Sequence, residues 1–319
     1  MSDRVGVRRD PAAYGTTVVK PPDFDQFWQD TLAELARVPL AASIAPAPMR
    51  SSPEVEVFDV RWDSWQGVRI AGWYSRPRGA SGRLPALIHV PGYVSEPLVP
   101  KPSAKLGYCA LSVAPRGKLR SNDRFNPGYP GLLTHNIVDR NTYGYRGFYC
   151  DAIRAVDWLL TRPEVDPDRI GVTGSSQGGA LTIVVAAMRS EITCAAAGAP
   201  YLAGMMDAAR LTHSYPYQEI NDYLRLYPER EEQVRHTLDF FDGINFAARI
   251  RCPILVNIGL QDDVCPPETG FAVFDAMTAA SWKKLYPYED CAHDAGSAIG
   301  HAAVVSGFLA EHLRPGVAA

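Results

Sequence analysis

The chain has 319 residues, 46% of them hydrophobic, with 32 Lys/Arg against 35 Asp/Glu and a formal net charge of −3. That length suits one large α/β domain or two modest ones, and the apolar share suits a globular protein with a buried core. No basic run exceeds Arg8-Arg9, so nothing marks a nucleic-acid partner or an anionic-membrane surface.

In chain order, "MSDRVGVRRD" has no apolar leader, which gives the expectation of a cytoplasmic protein. Residues 22–38, "PDFDQFWQDTLAELARV", repeat apolar positions at helical spacing. "EVEVFDVRW" (54–62) alternates like a half-buried strand, and a turn at Gln66-Gly67 leads into "GVRIAGWYSRP" (67–77), an antiparallel partner. Short apolar runs follow at 86–90, 109–113, 169–174, 192–198, 253–259 and 282–288. Their continuity predicts strands covered on both faces. Helical segments at 147–162, 178–190, 270–280 and 302–313 separate several of them. The alternation predicts a mostly parallel, doubly wound α/β sheet with N-terminal antiparallel strands, in one domain. Residues 200–250 read as an aromatic-rich helical insertion, either a core cover or a lid. No apolar stretch approaches the roughly 20 residues a membrane span needs. The cysteines, Cys109, Cys150, Cys194, Cys252, Cys265 and Cys291, form no C-x-x-C pair and read as buried free thiols. No H-E-x-x-H or Cys/His cluster with ligand spacing occurs, so neither metal nor cofactor is expected.

The stretch "GVTGSSQGGAL" (171–181) joins a predicted buried strand to a predicted helix and matches G-x-S-x-G with Ser176 at its centre. A sharp strand-to-helix turn strains its central residue and leaves no room for side chains two positions either side. Gly174 and Gly178 remove those clashes, and the helix that follows aims its first N–H groups at the same spot. The bland alternative is a Gly/Ser turn whose serine caps the helix. A phosphate loop fits poorly, because no Lys-Ser/Thr follows the glycines.

A serine hydroxyl becomes a useful nucleophile when a histidine takes its proton and a carboxylate orients that histidine. In the order serine, acid, histidine, the acid falls on Asp262 or Asp263 in "LQDDVCPP", with Asp262 preferred, and the base on His293 in "EDCAHDAG". Both follow predicted strands. His89 lies within a strand, His301 and His312 on the last helix, and His213 and His236 in the insertion, all read as structural or surface residues.

The fragments "DFDQFW", "GWYSRP", "PGY" (91–93), "YRGFYCDAIRAVDWL", "GVTGSSQGG", "YPYQEINDYLR", "GLQDDVCPP" and "YPYEDCAHDAG" resemble the acetyl xylan esterase / cephalosporin C deacetylase group of α/β-hydrolases, carbohydrate esterase family seven. The resemblance runs from about Pro22 to the last helix. It implies a serine carboxylesterase with the triad Ser176, Asp262 and His293, and an oxyanion hole at the N–H groups of Tyr93 and Gln177. It also implies a homo-oligomer, commonly a hexamer. Two positions depart from the family pattern: Arg116-Gly117-Lys118 replaces Arg-Gly-Gln, and His293-Asp294 replaces His-Glu.

The resulting expectation is an esterase removing acetyl or other short acyl groups from small sugars or related alcohols. Arg116, Lys118 and Tyr201 are candidates for contacting substrate. Lys118 is expected either to favour anionic substrates or to point away into solvent or onto a carboxylate such as Asp294. A peptidase or lactone hydrolase with the same triad, and a catalytically silent binding module on the same fold, are the alternatives.

Overall fold

The computed structural model describes residues 10–315. Nine strands form one sheet: β1 (Ser43–Pro46), β2 (Val55–Asp63), β3 (Arg69–Pro77), β4 (Leu84–His89), β5 (Cys109–Ala114), β6 (Val165–Ser175), β7 (Ile192–Gly198), β8 (Ile254–Gly259) and β9 (Lys283–Tyr288). Among the described residues the helices are α1 (Phe24–Arg37), α2 (Lys101–Lys105), α3 (Gly144–Leu160), α4 (Gln177–Met188), α5 (Met205–Leu211), α6 (Gln218–Leu226), α7 (Glu231–Asp239), α8 (Gly243–Ala247), α9 (Pro267–Asp275) and α10 (His301–Leu313).

The spatial order is β1-β2-β3-β5-β4-β6-β7-β8-β9. The pairs β1–β2, β2–β3 and β3–β5 are antiparallel, and every pair from β5 onward is parallel. The mostly parallel α/β sheet with antiparallel N-terminal strands thus follows the periodicity. Gln66 and Gly67 both take positive φ, 60° and 68°, which turns β2 back into β3.

All six residues of β5 and of β8 are buried, as strands covered on both faces must be. Successive side chains serve opposite cores. Leu87 and Leu255 pack with Phe308, Leu309 and Leu313 of α10 on one face. Ile88 and Val256 join the core shared with α3 and α4 on the other. The run at 282–288 departs from its expectation. β9 is an edge strand with no fully buried residue, and Lys283 and Lys284 lie on it. β1 and α2 carry no periodicity because they are four exposed residues and one short turn of helix.

Residues 200–250 lie between β7 and β8 and contain α5 to α8. Aromatic packing ties them to α1. Phe27 meets Phe240 at 5.0 Å, and Trp28 meets Phe241 at 5.5 Å, both edge-on. Such pairs contribute about 0.5–1.5 kcal/mol each beyond area burial. Trp28 Nε1 also donates to Phe240 O at 2.8 Å. Asp242, fully buried, accepts from the N–H groups of Gly204, Met205 and Ile244 at 2.7–3.0 Å, which pins both ends of the insertion together. Burial pushes its carboxyl up to about 7.

β4 sits between β5 and β6, so the loops after β4 and β6 lead to opposite sides of it. In open α/β sheets that divergence leaves a crevice beyond the carboxyl ends of the strands.

Candidate active site

Ser176 stands at the end of β6 with φ 60° and ψ −121°. A non-glycine residue there costs on the order of 1–3 kcal/mol and persists only where its surroundings over-determine it. They do so here. Its N–H donates to Gly198 O at 2.9 Å, and its carbonyl accepts from Ala180 and Tyr201 N–H at 3.1 Å each. A Cβ on Gly174 would lie 2.6 Å from Val90 O, and one on Gly178 would lie 2.4 Å from the same atom. The two glycines therefore let the loop after β4 press against the turn. Gly179 does the same for Gly198 O, at 2.4 Å.

Asp262 follows β8 and His293 follows β9, neighbouring strands of the sheet. Asp262 Oδ2 lies 2.8 Å from His293 Nδ1. Its other oxygen accepts from Val264 and Cys265 N–H, both at 2.8 Å, so a nearly fully buried carboxylate is held in one rotamer. Asp263 points elsewhere. Its side chain is exposed and accepts from Ser214 Oγ at 3.3 Å, tying the loop to the insertion. His89 bonds Ser103, His301 bonds Tyr288, and His213 and His236 are exposed. Of these histidines, His293 is the one that lines the cavity beside Ser176.

That cavity holds about 530 Å³. Ser175, Ser176 and His293 line it together with Gly92, Tyr93 and Val264. Tyr129, Pro130, Tyr215, Pro216 and Glu219 of α6 also line it. Among the described residues the N–H groups of Tyr93 and Gln177 have no protein acceptor. Tyr93 lies in the loop after β4, and Gln177 is the first residue of α4, where the helix dipole adds positive potential. The Gln177 side chain turns inward and donates to Tyr145 OH at 2.8 Å.

Asp262, Cys265 and His293 also bring ligand-type atoms within 4.8 Å of one another. Both Asp262 oxygens are already engaged, and burial holds the Cys265 thiol well above its usual value. A cation at this cluster would have to break the Asp262–His293 contact.

The acetyl xylan esterase (AXE1) family model matches residues 11–311. The chain belongs to the acetyl xylan esterase family. An acetyl xylan esterase from Paenibacillus sp. R4 is 34% identical, with 95% of this chain and 98% of that one covered at a TM-score of 0.88. Acetyl xylan esterase 1 from Thermoanaerobacterium sp. is 28% identical, with coverages of 94% and 97% and a TM-score of 0.87. Acetyl esterase Axe7A from Xylanibacter ruminicola is 28% identical over 286 residues, 85% of this chain but 63% of Axe7A. Pyrococcus horikoshii acylaminoacyl peptidase, at 16% identity and a TM-score of 0.60, shares the fold alone.

Within this esterase-family chain, three residues expected to contact substrate lie elsewhere. Arg116 is buried and bidentate to Asp151, with Nε–Oδ2 at 2.8 Å and Nη2–Oδ1 at 2.9 Å. Tyr201 is fully buried, edge-on to Tyr93 and Tyr217. Lys118 is fully buried, and its Nζ donates to two backbone carbonyls. Neither expectation for Lys118 holds: it does not face the cavity, and it reaches neither solvent nor Asp294. Asp294 is exposed and accepts from Ala298 N–H at 3.3 Å.

Sequence reasoning passed over Glu219. Its Oε1 accepts from Tyr93 OH at 2.5 Å and its Oε2 from Gly131 N–H at 2.8 Å, while burial raises its carboxyl. A charged residue beside buried Ile220 on an amphipathic helix was the available signal.

Proposed function

We propose that this chain is a serine carboxylesterase that removes acetyl and other short acyl groups from small sugars or related alcohols through an acyl-enzyme. One observation carries the reading: His293, oriented by Asp262 at 2.8 Å, lines the same cavity as the strained Ser176. Ser176 Oγ attacks the ester carbonyl and His293 Nε2 takes its proton. Asp262 keeps Nδ1–H directed at itself and stabilises the imidazolium. The N–H groups of Tyr93 and Gln177 receive the oxyanion, a task that favours donors already fixed in place. Collapse expels the alcohol, which leaves with the proton from His293. A water then repeats the sequence on the acyl-serine and releases the acid.

The alcohol side is supported by the aromatic and proline walls, flat faces against which a sugar ring packs. Glu219 borders the cavity, and among the described residues no Lys or Arg lines it. We further propose that the insertion at 200–250 acts as a lid-like element of a single α/β-hydrolase domain, since Tyr215, Pro216 and Glu219 come from it. The peptidase and lactonase readings are not favoured, because the two solved structures matched at 28–34% identity over 97–98% of their length are acetyl xylan esterases. A homo-oligomer and activity on cephalosporin-type acetyl esters belong to the same proposal and rest on the family pattern; a cytoplasmic location is proposed with them.

The test is a panel of acetylated monosaccharides, short acetylated xylo-oligosaccharides, polymeric acetyl xylan, acetylated cephalosporins and aryl acetates, run beside light scattering. Turnover of small acetyl esters by an oligomer, faster on oligosaccharide than on polymer, is expected. No turnover of any acetyl ester would overturn the assignment.

A further inference from the structure

Lys118 is a charged residue of the catalytic edge that the triad does not use. Its Nζ donates to Gly92 O at 2.9 Å and Tyr93 O at 2.5 Å, and lies 4.7 Å from the Tyr129 ring centroid. An ammonium has three donors and no acceptor. Two are spent on carbonyls, and the Tyr129 ring accounts for the remaining direction as a cation–π partner.

Gly92 O and the Tyr93 N–H belong to one peptide unit. In a trans peptide the carbonyl and the N–H point opposite ways. A cation on the carbonyl side enlarges the peptide dipole and makes the N–H on the far side a stronger donor. That N–H is the donor assigned above to the oxyanion. We infer that Lys118 is a positioning residue that holds and polarises the Gly92–Tyr93 peptide, so that its N–H stabilises the oxyanion more strongly than a neutral partner would allow. The inference rests on the esterase reading of the same site.

The remaining contacts hold the same loop. The Tyr93 hydroxyl is fixed by Glu219 and by Leu133 N–H at 3.2 Å, so the residue is gripped at both its backbone and its ring. A Cβ on Gly92 would lie 3.2 Å from Ser95 Oγ, which leaves the loop little slack. The groups facing Lys118 are few. Glu96 lies across the loop and accepts from Leu119 N–H at 3.1 Å. Tyr129 covers the ammonium, and Arg116 turns away into Asp151. Burial lowers Lys118 to about 8 against the pull of Glu96. The charged form therefore dominates below that pH. As pH rises through about 8 the ammonium loses its proton, the peptide loses its polarising charge, and kcat falls.

The experiment measures kcat and KM for an aryl acetate from about pH 6 to about pH 10 on wild type, Lys118→Gln and Lys118→Met, normalised to active-site titre. Inhibition by phenylboronic acid, which forms an anionic tetrahedral adduct on serine, is measured in parallel. Losing an oxyanion donor outright costs about 10²–10³ in kcat, so losing the charge behind one should cost about tenfold, with KM nearly unchanged. Boronate affinity should fall by a similar factor. The wild-type profile should show an alkaline limb near pH 8 that both variants lack. An alkaline limb of the wild-type profile that persists unchanged in both variants overturns the inference. So do folded variants that match wild type in kcat and boronate affinity. Absence of acetyl-ester turnover in wild type would instead overturn the esterase reading beneath it.

Discussion

The loops that follow β5 and β6 leave the same edge of the sheet, from strands that flank β4 on either side. One carries Ser176 into an open cavity, and the other carries Arg116 and Lys118 into the protein interior. The difference is one of packing, not of topology. After β6 the chain turns at once into α4, and glycines at 174 and 178 admit the neighbouring loop while the serine stays outside. After β5 the chain runs beneath that same neighbouring loop. Asp151 of α3 then captures Arg116, and the carbonyls of Gly92 and Tyr93 capture Lys118. A charged residue at a catalytic edge is therefore a ligand for substrate only if no acceptor within the protein reaches it first.

Substitutions on the two loops should separate along that line. Ser176→Ala should lower kcat by about 10⁶-fold, while Ser175→Ala keeps most activity. Equal losses at both would mean that the turn presents no single hydroxyl. Asp262→Asn should lower kcat by about 10⁴-fold, since the amide holds the wrong histidine tautomer. Asp263→Asn, an exposed neighbour bonded to Ser214, should stay within about threefold in the same assay.

At the buried Arg116–Asp151 pair the expected loss is in stability. Asp151→Ala leaves the Arg116 guanidinium buried without its partner, which should cost about 3–5 kcal/mol in urea unfolding. A stable variant with altered substrate preference would instead place Arg116 at the substrate. The smallest effect concerns selectivity. For a matched pair of anionic and neutral acetate esters, Lys118→Gln should change the ratio of kcat/KM by less than about twofold. A clear fall in that ratio would mean that Nζ reaches bound substrate.

Much of this was legible from residue order. Continuous apolar runs marked β4 to β8, and the strand–G-x-S-x-G–helix pattern located Ser176, because each depends on local periodicity and on glycines at fixed offsets. Asp262 and His293 could be found because each follows a strand directly. The burial of Lys118 could not. It depends on two carbonyls 25 and 26 residues away in sequence, and a lysine in a polar loop carries no mark of it. Glu219 escaped for the same reason, since its partners Tyr93 and Gly131 are 126 and 88 residues distant. β9 departs from the doubly covered expectation, and Lys283, Lys284 and Pro287 within it are the marks of an edge strand.

Labelling with diethyl p-nitrophenyl phosphate, followed by fragment mass spectrometry, tests the nucleophile most directly. The phosphoryl ester reacts with an activated serine and remains on it. One diethylphosphoryl group per chain, located on Ser176 and formed in step with the loss of acetyl-ester turnover, is expected. A label on Ser175 or elsewhere accompanying inactivation, or inactivation with Ser176 unmodified, would contradict it.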